Sequence, residues 1–435
     1  MMRTRRSRLR AAPVAIVLAA ALAACSSGGS SSSTTTRDAT VTIPPDAPVA
    51  RSTPTRLDER LVIGALLPRS GPGATLGEPL IAGVDLAVSE INAAGGVMGR
   101  PVRQHTTDEG SSASSAHRSL EVLLDSDVDV IVGPASSRVA LGLLSEMLDP
   151  GLAVCSPTNT AISLRRFPDD ENRYFRTIPS DALQATAMAR VIERTGRNAV
   201  SIVYIDDEFG LDYATALVRE LDARGIGVLT NTAYDPAEED LGPIGIRAVA
   251  SGAAAIAVIG DATDGGRMLS TLRQLDTSDS VEYFVNDALR LPNLAASIGA
   301  ASPAFLERLR GVAPSAESTS QAFNGAFAER FPDTPTEYAA YAYDCTILLA
   351  LAATAAGSDD PDQIARFMAS VSRSGSPCTT FAECSQLLGE GRNVDYVGAS
   401  GSVELDDQGD VQGGTFKVFR FEPSGMDVSA GDVNV

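Results

Sequence analysis

The chain has 435 residues, of which 44% are hydrophobic and 21% are charged, and its formal net charge is −20. A chain of this length can bury the cores of two separate lobes. The excess of acidic residues argues against nucleic acid as a partner, because binding to phosphate requires a basic surface.

The first 24 residues have the pattern of a secretory signal peptide. Five arginines and no acid precede an apolar run, residues 11–24, that is short for a membrane span. The residues LAAC that end at Cys25 resemble the bacterial lipobox, in which the cysteine is lipidated and becomes the new N-terminus. Ordinary cleavage after Ala24 is the alternative, and the arginine pair near the start fits twin-arginine export poorly.

The next segment, residues 25–60, is rich in Ser, Thr and Gly and then in Pro, as in SSGGSSSSTTTRDATVTIPPDAP. Such a composition cannot bury a core and predicts a flexible tether. We therefore expect a globular body from Leu61 onward, anchored through lipid on Cys25 to the outer face of the cell membrane. Without the signal peptide, the mature chain has a net charge of −25.

Strand and helix patterns alternate along this body. Apolar runs predict strands at LVIGALL, PVRQHTTD, VDVIVGP and LAVCSPT, and a second series from Ser180 predicts AVSIVYID, IGVLTNTAY, AAAIAVIGD and VEYFVND. Helical patterns separate them, and two more helices follow, STSQAFNGAFAERF and TEYAAYAYDCTILLALAATA. Near the C-terminus, VGASGSVELDDQGDV and TFKVFRF predict a hairpin that turns at Asp-Asp-Gln-Gly.

This alternation predicts an α/β fold of two lobes, each with a doubly wound parallel sheet. In such sheets ligands bind beyond the carboxyl ends of the strands. With two lobes, those ends can face each other across a cleft.

A glycine-rich turn, LPRSGPGATLGEPL, joins the first strand to the first helix. A dinucleotide site requires G-x-G-x-x-G and an acid about 20 residues further on. Here the third glycine, Gly77, comes one residue late, and Asp108, at the end of the next strand, lies 35 residues after Gly73. We interpret the glycines as a tight turn and a close helix start, and expect no cofactor.

Catalytic and metal-binding patterns are missing from the sequence. The chain has two histidines, and it lacks G-x-S-x-G, H-E-x-x-H and zinc-type cysteine spacing. Asp406, Asp407 and Asp410 do not have the spacing of a calcium loop and predict a turn. We expect a binding protein and not an enzyme, although 55 acids leave an unrecognised carboxylate pair as the alternative.

Four cysteines remain once Cys25 is assigned to the lipid, in a compartment that is oxidising. Cys378 and Cys384 are six residues apart in a polar loop and predict a local disulfide. For Cys155 and Cys345, which lie in apolar surroundings, a disulfide and two buried thiols are both open.

The body also resembles a known family. The stretch from LVIGALL to MGRPV, followed in order by VGPASS, SPTNT, VYIDDEFG, YAYD and SGSVELDDQGD, is similar to bacterial solute-binding proteins of the leucine/isoleucine/valine-binding type. The similarity extends from Leu61 to Phe421 and implies the type I periplasmic-binding fold. It implies a monomeric receptor of an ABC importer, which closes two lobes on a solute and presents it to a membrane permease.

The same resemblance implies three crossings between the lobes, near residues 176–180, 310–313 and 395–401. Lobe 1 would comprise residues 61–177 and 313–394, and lobe 2 would comprise residues 178–312 and 395–435.

Members of this family that bind amino acids hold the ligand carboxylate with a serine and a following loop. The matching residues are Ser137 in GPASS, and Thr158 and Thr160 in SPTNT. Both segments are predicted at junctions of a strand with a helix, where free N–H groups favour an anion. Helix capping is the alternative role for these hydroxyl groups.

The ligand ammonium is held in the family by an acid of lobe 2, and Asp287 in FVNDAL matches it. Asp261 in VIGDATD is a second candidate at another strand end. Phe209 and Tyr338 match aromatic residues that cover the ligand. A helix cap or an exposed acid is the alternative for Asp287, and core packing is the alternative for Phe209 and Tyr338.

Several positions depart from the leucine-binding pattern. Leu76 replaces an aromatic residue, Phe209 lacks the hydroxyl of a tyrosine, Asp287 is shorter than a glutamate, and Asp261 replaces a tyrosine. Arg69, beside the first loop, would favour an acidic ligand. We therefore expect an amino acid, with branched-chain amino acids among the candidates, and the alternatives are an amide, urea or an aromatic or carboxylic acid, or a sensor without transport.

Overall fold

The computed structural model describes residues 58–71, 73–169, 171–261, 263–278, 280–290, 294, 298, 303–422 and 427–435. The predicted signal peptide, Cys25 and nearly all of the tether lie outside these residues. All described residues belong to one compact unit that begins at Arg51.

The first sheet has five parallel strands in the described part of the chain, in the order β2-β1-β3-β4-β5. They are β1 (Val62–Leu67), β2 (Arg103–Asp108), β3 (Val130–Val132), β4 (Ala153–Ser156) and β5 (Tyr174–Arg176). Between them run α1 (Ala74–Ala93), α2 (Ala113–Leu124), α3 (Ser137–Leu148) and a short 3-10 helix (Ile162–Arg166). Strands β3 and β4 are buried on both faces, as expected for parallel strands covered by helices.

The second sheet has seven strands among the described residues, in the order β15-β14-β10-β9-β8-β6-β7. They are β6 (Ala199–Ile205), β7 (Gly227–Tyr234), β8 (Ala255–Ile259), β9 (Glu282–Val285), β10 (Leu309–Pro314), β14 (Thr415–Phe421) and β15 (Asp427–Asn434). Strand β14 pairs antiparallel with both β10 and β15, so this sheet is mixed. The interior strand β8 is wholly buried, whereas the edge strand β7 has mostly half-buried or exposed residues.

Helices cover the second sheet on both faces. They are α4 (Asp181–Arg194), α5 (Glu208–Asp222), α6 (Gly242–Ala250), α7 (Asp264–Leu275), a short 3-10 helix (Asp287–Leu289) and α8 (Pro303–Glu307). We call the residues packed around the first sheet the first lobe and those packed around the second sheet the second lobe.

After β10 the chain returns to the first lobe. It forms α9 (Gln321–Arg330), α10 (Ala339–Ala356), α11 (Pro361–Val371), α12 (Phe381–Gly389) and a small sheet of β11 (Ser376–Cys378), β12 (Val394–Gly398) and β13 (Gly401–Ser402). Helix α10 packs closely on α1, since a Cβ atom at Gly83 would lie 2.2 Å from the carbonyl oxygen of Ala339. Among the described residues, α10 alone has the length and apolar character of a membrane span, and it is mostly buried in this core.

The C-terminal part differs from the sequence prediction in two respects. Buried side chains from Val394 to Val411 belong to the core of the first lobe, whereas residues 395–435 were assigned to lobe 2. The predicted hairpin is wrong, because TFKVFRF (β14) pairs with β10 and β15. The Asp-Asp-Gln-Gly turn instead closes a short antiparallel bridge between Leu405 and Val411.

Two disulfides lie in the first lobe. Cys378 and Cys384 are bonded to each other, and so are Cys155 of β4 and Cys345 of α10, whose Cα atoms are 5.6 Å apart. The second bond ties the long core helix to the sheet beneath it.

Candidate functional site

The candidate site lies where the strands of both sheets end. In the first lobe, β3 leads into α3 at Ser137, and β4 leads into the loop that contains Thr160. In the second lobe, β9 leads to Asp287. The backbone N–H of Asp181, the first residue of α4, donates to the carbonyl oxygen of Thr160 at 2.8 Å and so joins the two sides.

Ser137 and Thr160 are in direct contact. The hydroxyl oxygen of Ser137 accepts hydrogen bonds from the backbone N–H groups of Thr160 at 3.2 Å and of Ala161 at 3.4 Å. A hydroxyl group has two acceptor positions and one donor. With both acceptor positions used by the protein, the O–H of Ser137 can donate to an anion.

Thr158 has a different role in this loop. Its hydroxyl donates to the carbonyl oxygen of Ala135 at 2.9 Å, and the amide of Asn159 donates to the same oxygen at 2.8 Å. These two bonds hold the Thr160 loop against the loop that precedes Ser137. In this arrangement Thr158 positions the loop.

Glu109 holds the backbone that precedes Ser137. Its buried carboxylate accepts hydrogen bonds from the backbone N–H groups of Ala135 at 2.7 Å and Ser136 at 2.8 Å. Burial raises the pKa of Glu109 to about 7, although these two donors act in the opposite direction. The hydroxyl of Ser136 in turn caps α3 by accepting from the N–H of Val139.

Asp181 and Asp287 form a pair of carboxyl groups on the second-lobe side. Asp181 is 1% exposed, and neither of its carboxylate oxygens makes a hydrogen bond of ordinary geometry within the part of the chain that the structure describes, although the Thr160 hydroxyl and the Arg176 guanidinium are near enough to act on its charge. Gln184, one turn further along α4, accepts a hydrogen bond from the backbone N–H of Asp287 at 3.1 Å. An unpaired buried carboxylate is costly, so this site favours a positively charged partner.

The pKa values of the pair reflect this environment. Burial and the charge of Asp287 raise the pKa of Asp181 to about 8, against the opposing effect of the Arg176 guanidinium and the Thr160 hydroxyl. Burial also raises the pKa of Asp287, although a hydrogen bond from Gln184 opposes it. Two carboxyl groups that disfavour each other's ionisation are stabilised as anions when a cation binds between them.

The two aromatic candidates have different surroundings. Tyr338 precedes α10 with φ of +62° and stacks on Tyr341 at a ring separation of 6.1 Å. Burial, together with the charge of Asp287, raises the pKa of Tyr338 to about 12. Phe209 is half-buried near the start of α5 and contacts Tyr213, whose hydroxyl donates to Gln184.

Asp261 follows β8 and is engaged with its own chain. Its carboxylate accepts from the backbone N–H groups of Thr263 at 2.8 Å and Asp264 at 3.3 Å, which makes it a cap of α7. Burial would raise the pKa of Asp261, but these donors and the hydrogen bond with the Asp264 side chain lower it. The charge of Arg138, the neighbour of Ser137 in the first lobe, lowers it further.

A buried arginine holds the Thr160 loop by hydrogen bonds to its backbone. Arg176 is 1% exposed and binds Asp410 through two hydrogen bonds of 2.5 and 2.9 Å. Its remaining nitrogen donates to the carbonyl oxygens of Asn159 at 3.2 Å and Ala161 at 2.9 Å, on either side of Thr160. The orientation of Thr160 therefore depends on this ion pair.

Sequence reasoning missed Asp181, Gln184, Glu109 and Arg176. The available signal for Asp181 was its position at the start of a helix that follows a short apolar strand, as for Ser137. Its burial comes from packing of α4 against the second sheet, and the residue pattern does not encode that. Arg69 is exposed, and its backbone N–H donates to Asp108.

Comparison with known proteins decides the family. A model of the family described as "Periplasmic binding protein" matches residues 61–385, about three quarters of the chain. The chain belongs to the periplasmic binding protein family. Its relatives include the Leu/Ile/Val-binding protein BraC3 of Rhizobium johnstonii, 27% identical over 188 residues, which are 43% of this chain and 51% of the relative.

Two further relatives cover most of the chain. The "Chemotactic signal transduction system substrate-binding protein BasB" of Halobacterium salinarum is 27% identical over 362 residues, which are 79% of this chain and 83% of that protein. The crystal structure of leucine-binding protein LivK from Thermotoga maritima has a TM-score of 0.65 and 18% identity, and covers 86% of this chain and 98% of its own. The family prediction and the type I periplasmic-binding fold are thus confirmed.

The family also establishes the general class of the protein. Its members are extracytoplasmic solute-binding proteins and not enzymes. The prediction of a binding protein is therefore confirmed at this level.

Proposed function

We propose that this periplasmic binding protein captures an α-amino acid between its two lobes. The single observation that carries the proposal is the carboxyl pair of the buried Asp181 and the half-buried Asp287, in which neither oxygen of Asp181 makes a hydrogen bond of ordinary geometry within the described residues. A ligand with an ammonium group supplies the missing charge and hydrogen-bond donors. A ligand that has a carboxylate and no amine would leave Asp181 unpaired.

The carboxylate end of the ligand binds at Ser137 and Thr160. The Ser137 hydroxyl is held as a donor because its oxygen already accepts from Thr160 and Ala161. Ser137 also lies in the first turn of α3, whose free N–H groups and dipole favour a negative charge. Each hydrogen bond to a charged group contributes about 1.5–3 kcal/mol.

The aromatic residues cover the bound ligand. Tyr338 lies beside Asp287. Phe209 contacts Tyr213, whose hydroxyl donates to Gln184. Asp261 lies at the edge of the site, because one of its carboxylate oxygens accepts from the backbone at the start of α7. Closure of the two lobes then brings both sets of contacts onto one ligand.

The anchor and the partner follow from the N-terminal pattern and the family. We propose that lipid on Cys25 holds the protein to the outer face of the membrane, and that an ABC permease accepts the solute. A sensor role is the second candidate, and similarity to the chemotactic BasB over most of both chains supports it.

The test is a binding screen of the purified protein against the twenty amino acids, small amides, urea and aromatic acids. A ligand that binds the folded protein raises its melting temperature by mass action. We expect a rise with at least one amino acid, and a loss of that rise in Asp287→Asn. Asp222→Asn, an exposed acid at the end of α5, is the matched control and should bind as the wild type does.

A response to amides or amine-free acids alone, with none to amino acids, would rule out the proposed ligand class. Equal binding by wild type and Asp287→Asn would remove Asp287 from the site.

A further inference from the structure

The 3-10 helix Ile162–Arg166 lies between the two lobes, directly after the loop that contains Thr160. Ile162 packs against the core of the second lobe, whereas Leu164, two residues later, is buried in a core of the first lobe. The same helix contacts α5 of the second lobe. One short helix thus touches both lobes.

This helix is fastened to the first lobe. Leu164 is 3% exposed, and the guanidinium of Arg165 donates to the carboxylates of Asp410 at 2.8 Å and Asp406 at 2.7 Å. Both acids belong to the segment of the chain whose buried side chains join the first-lobe core. The 3-10 helix therefore moves with the first lobe when the lobes rotate.

Arg166, the last residue of the helix, binds two acids on α5. Its guanidinium donates to the carboxylate of Asp212 at 2.6 Å and lies 3.5 Å from the carboxylate of Glu208. The Asp212 side chain is 15% exposed, so water screens this pair less than it screens a fully exposed one. Helix α5 is held on the second sheet by the buried Tyr213 and Leu217. The ion pair therefore joins a side chain of the first lobe to a helix that moves with the second lobe.

These contacts lie beside the proposed ligand site. Together with burial and the charge of Asp287, the charge of Asp212 raises the pKa of Asp181, so this part of α5 is close to the carboxyl pair. In the same conformation the backbone N–H of Asp181 donates to the carbonyl oxygen of Thr160, and the two sides of the site are in contact. Rotation of the lobes away from each other would separate Arg166 from α5.

We propose that Ile162 and Arg166 of the first lobe form, with Glu208 and Asp212 of α5, an inter-lobe latch that holds the unliganded protein in its ligand-binding conformation. Its effect on ligand affinity rests on the proposed function, whereas its effect on the lobes does not. A latch changes the fraction of molecules that are competent to bind, so its loss weakens every ligand by the same factor. Because half of the latch is an ion pair, salt weakens it.

The first test is small-angle X-ray scattering of the purified protein without ligand. Arg166→Glu brings a third carboxylate to Glu208 and Asp212 and should give a larger radius of gyration than the wild type. Arg166→Gln should give a smaller increase in the same direction. Arg219→Glu is the matched control, because Arg219 is an exposed residue of α5 whose ion pair stays within that helix, and it should scatter as the wild type does.

The second test measures dissociation constants by calorimetry for alanine, valine and leucine. In low salt, Arg166→Gln should weaken all of the amino acids that bind by one common factor of about two to five, and the difference from wild type should disappear at about 0.5 M salt. Ile162→Ala should weaken them by a common factor of about three to ten at both salt concentrations, because its contact is apolar. Arg219→Gln should leave the constants unchanged.

The outcomes separate the latch from the proposed function. Scattering of Arg166→Glu that equals that of the wild type overturns the latch, whichever ligand binds. Tighter binding by Arg166→Gln, or a loss that differs from one amino acid to another, also overturns it, because the contact would then favour an open form or act on the ligand directly. If none of the twenty amino acids binds, the proposed function fails, while an enlarged Arg166→Glu protein still supports the latch.

Discussion

The hydroxyl oxygen of Ser137 accepts the backbone N–H of Thr160 at 3.2 Å, and this contact joins α3 to the loop after β4. Two segments separated by 23 residues thus present their polar groups at one point. The proposed carboxylate contact depends on this joint.

Ser137→Ala removes both the ligand donor and the acceptor that holds Thr160. We expect ligand affinity to fall about tenfold to a hundredfold, which corresponds to the loss of one hydrogen bond to a charged group. Calorimetric titration with the best amino acid measures this change. Ser112→Ala is the control, because the Ser112 hydroxyl accepts the backbone N–H of Ser115 as the cap of α2, and its loss should lower stability by about 1 kcal/mol with no change in affinity.

The pH dependence of ligand affinity follows from Asp181. Its pKa of about 8 means that the unliganded protein carries a proton there at neutral pH, and ammonium binding requires the anion. The proton must be released on binding, so affinity should fall as the pH decreases from 8 to 6, by up to about tenfold per pH unit.

Titrations at several pH values, in buffers of different ionisation enthalpy, measure both the slope and the released proton. In Asp181→Asn the slope should flatten and the affinity at pH 8 should be lower. A wild-type affinity that is constant between pH 6 and 8 contradicts the assignment.

Asp181 also makes the stability of the unliganded protein depend on pH. Its folded pKa lies above the value of an unfolded aspartate, so its favourable contribution is complete in acid and is lost as the pH rises through about 8. Denaturant unfolding between pH 5 and 8 should therefore show a smaller decline in unfolding free energy for Asp181→Asn than for wild type. A steeper decline in the variant would be the opposite of this expectation.

Removal of either partner of the ion pair between Arg176 and Asp410 should lower the stability of the protein. Burial would raise the pKa of Asp410, but the Arg176 guanidinium lowers it overall, so its contribution is present above the pKa of an unfolded aspartate and is lost in acid. Asp410→Asn leaves a buried guanidinium without its anion and should cost about 3–5 kcal/mol in urea unfolding.

Asp406→Asn is the matched control for that variant. Asp406 binds the partly exposed Arg165 at 2.7 Å and should cost at most about 1 kcal/mol. Similar losses of unfolding free energy in the two variants would show that the buried ion pair stabilises the protein no more than the exposed one.

The two disulfides should differ in their contribution to the free energy of unfolding. Cys155 and Cys345 close a loop of 190 residues, whereas Cys378 and Cys384 close a loop of six. Restriction of the unfolded chain grows with loop length, so replacing the first pair by serine should cost about 2–5 kcal/mol and replacing the second pair should cost less. Urea unfolding of the two double variants ranks them, and the reverse order would contradict the loop-length argument.

The sequence predicted the fold well because its signals are local. Alternating apolar strands and amphipathic helices specify parallel sheets, and each strand end marks a position at the same edge. Ser137, Thr160 and Asp287 were assigned to one site by the resemblance to the family, and their shared role stays a prediction. The pairing of β14 with β10 was not predictable from a turn signal, since β10 lies about 100 residues earlier.

The roles of individual side chains were less predictable. Thr158 donates to the carbonyl of Ala135, and Asp261 caps α7, and neither contact is visible in the residue pattern. Asp181 resembles an ordinary helix start, and only the packing of α4 shows that it is buried with no hydrogen bond of ordinary geometry to its carboxylate among the described residues.

The most direct test of the account compares the tightest-binding amino acid with its deaminated analogue, which keeps the carboxylate and the side chain and lacks the ammonium. Calorimetry at pH 8 measures both dissociation constants. We expect the analogue to bind at least about a hundredfold more weakly, because Asp181 and Asp287 lose their cation. Equal binding of the two compounds would contradict the account, since the carboxyl pair would then have no part in ligand recognition.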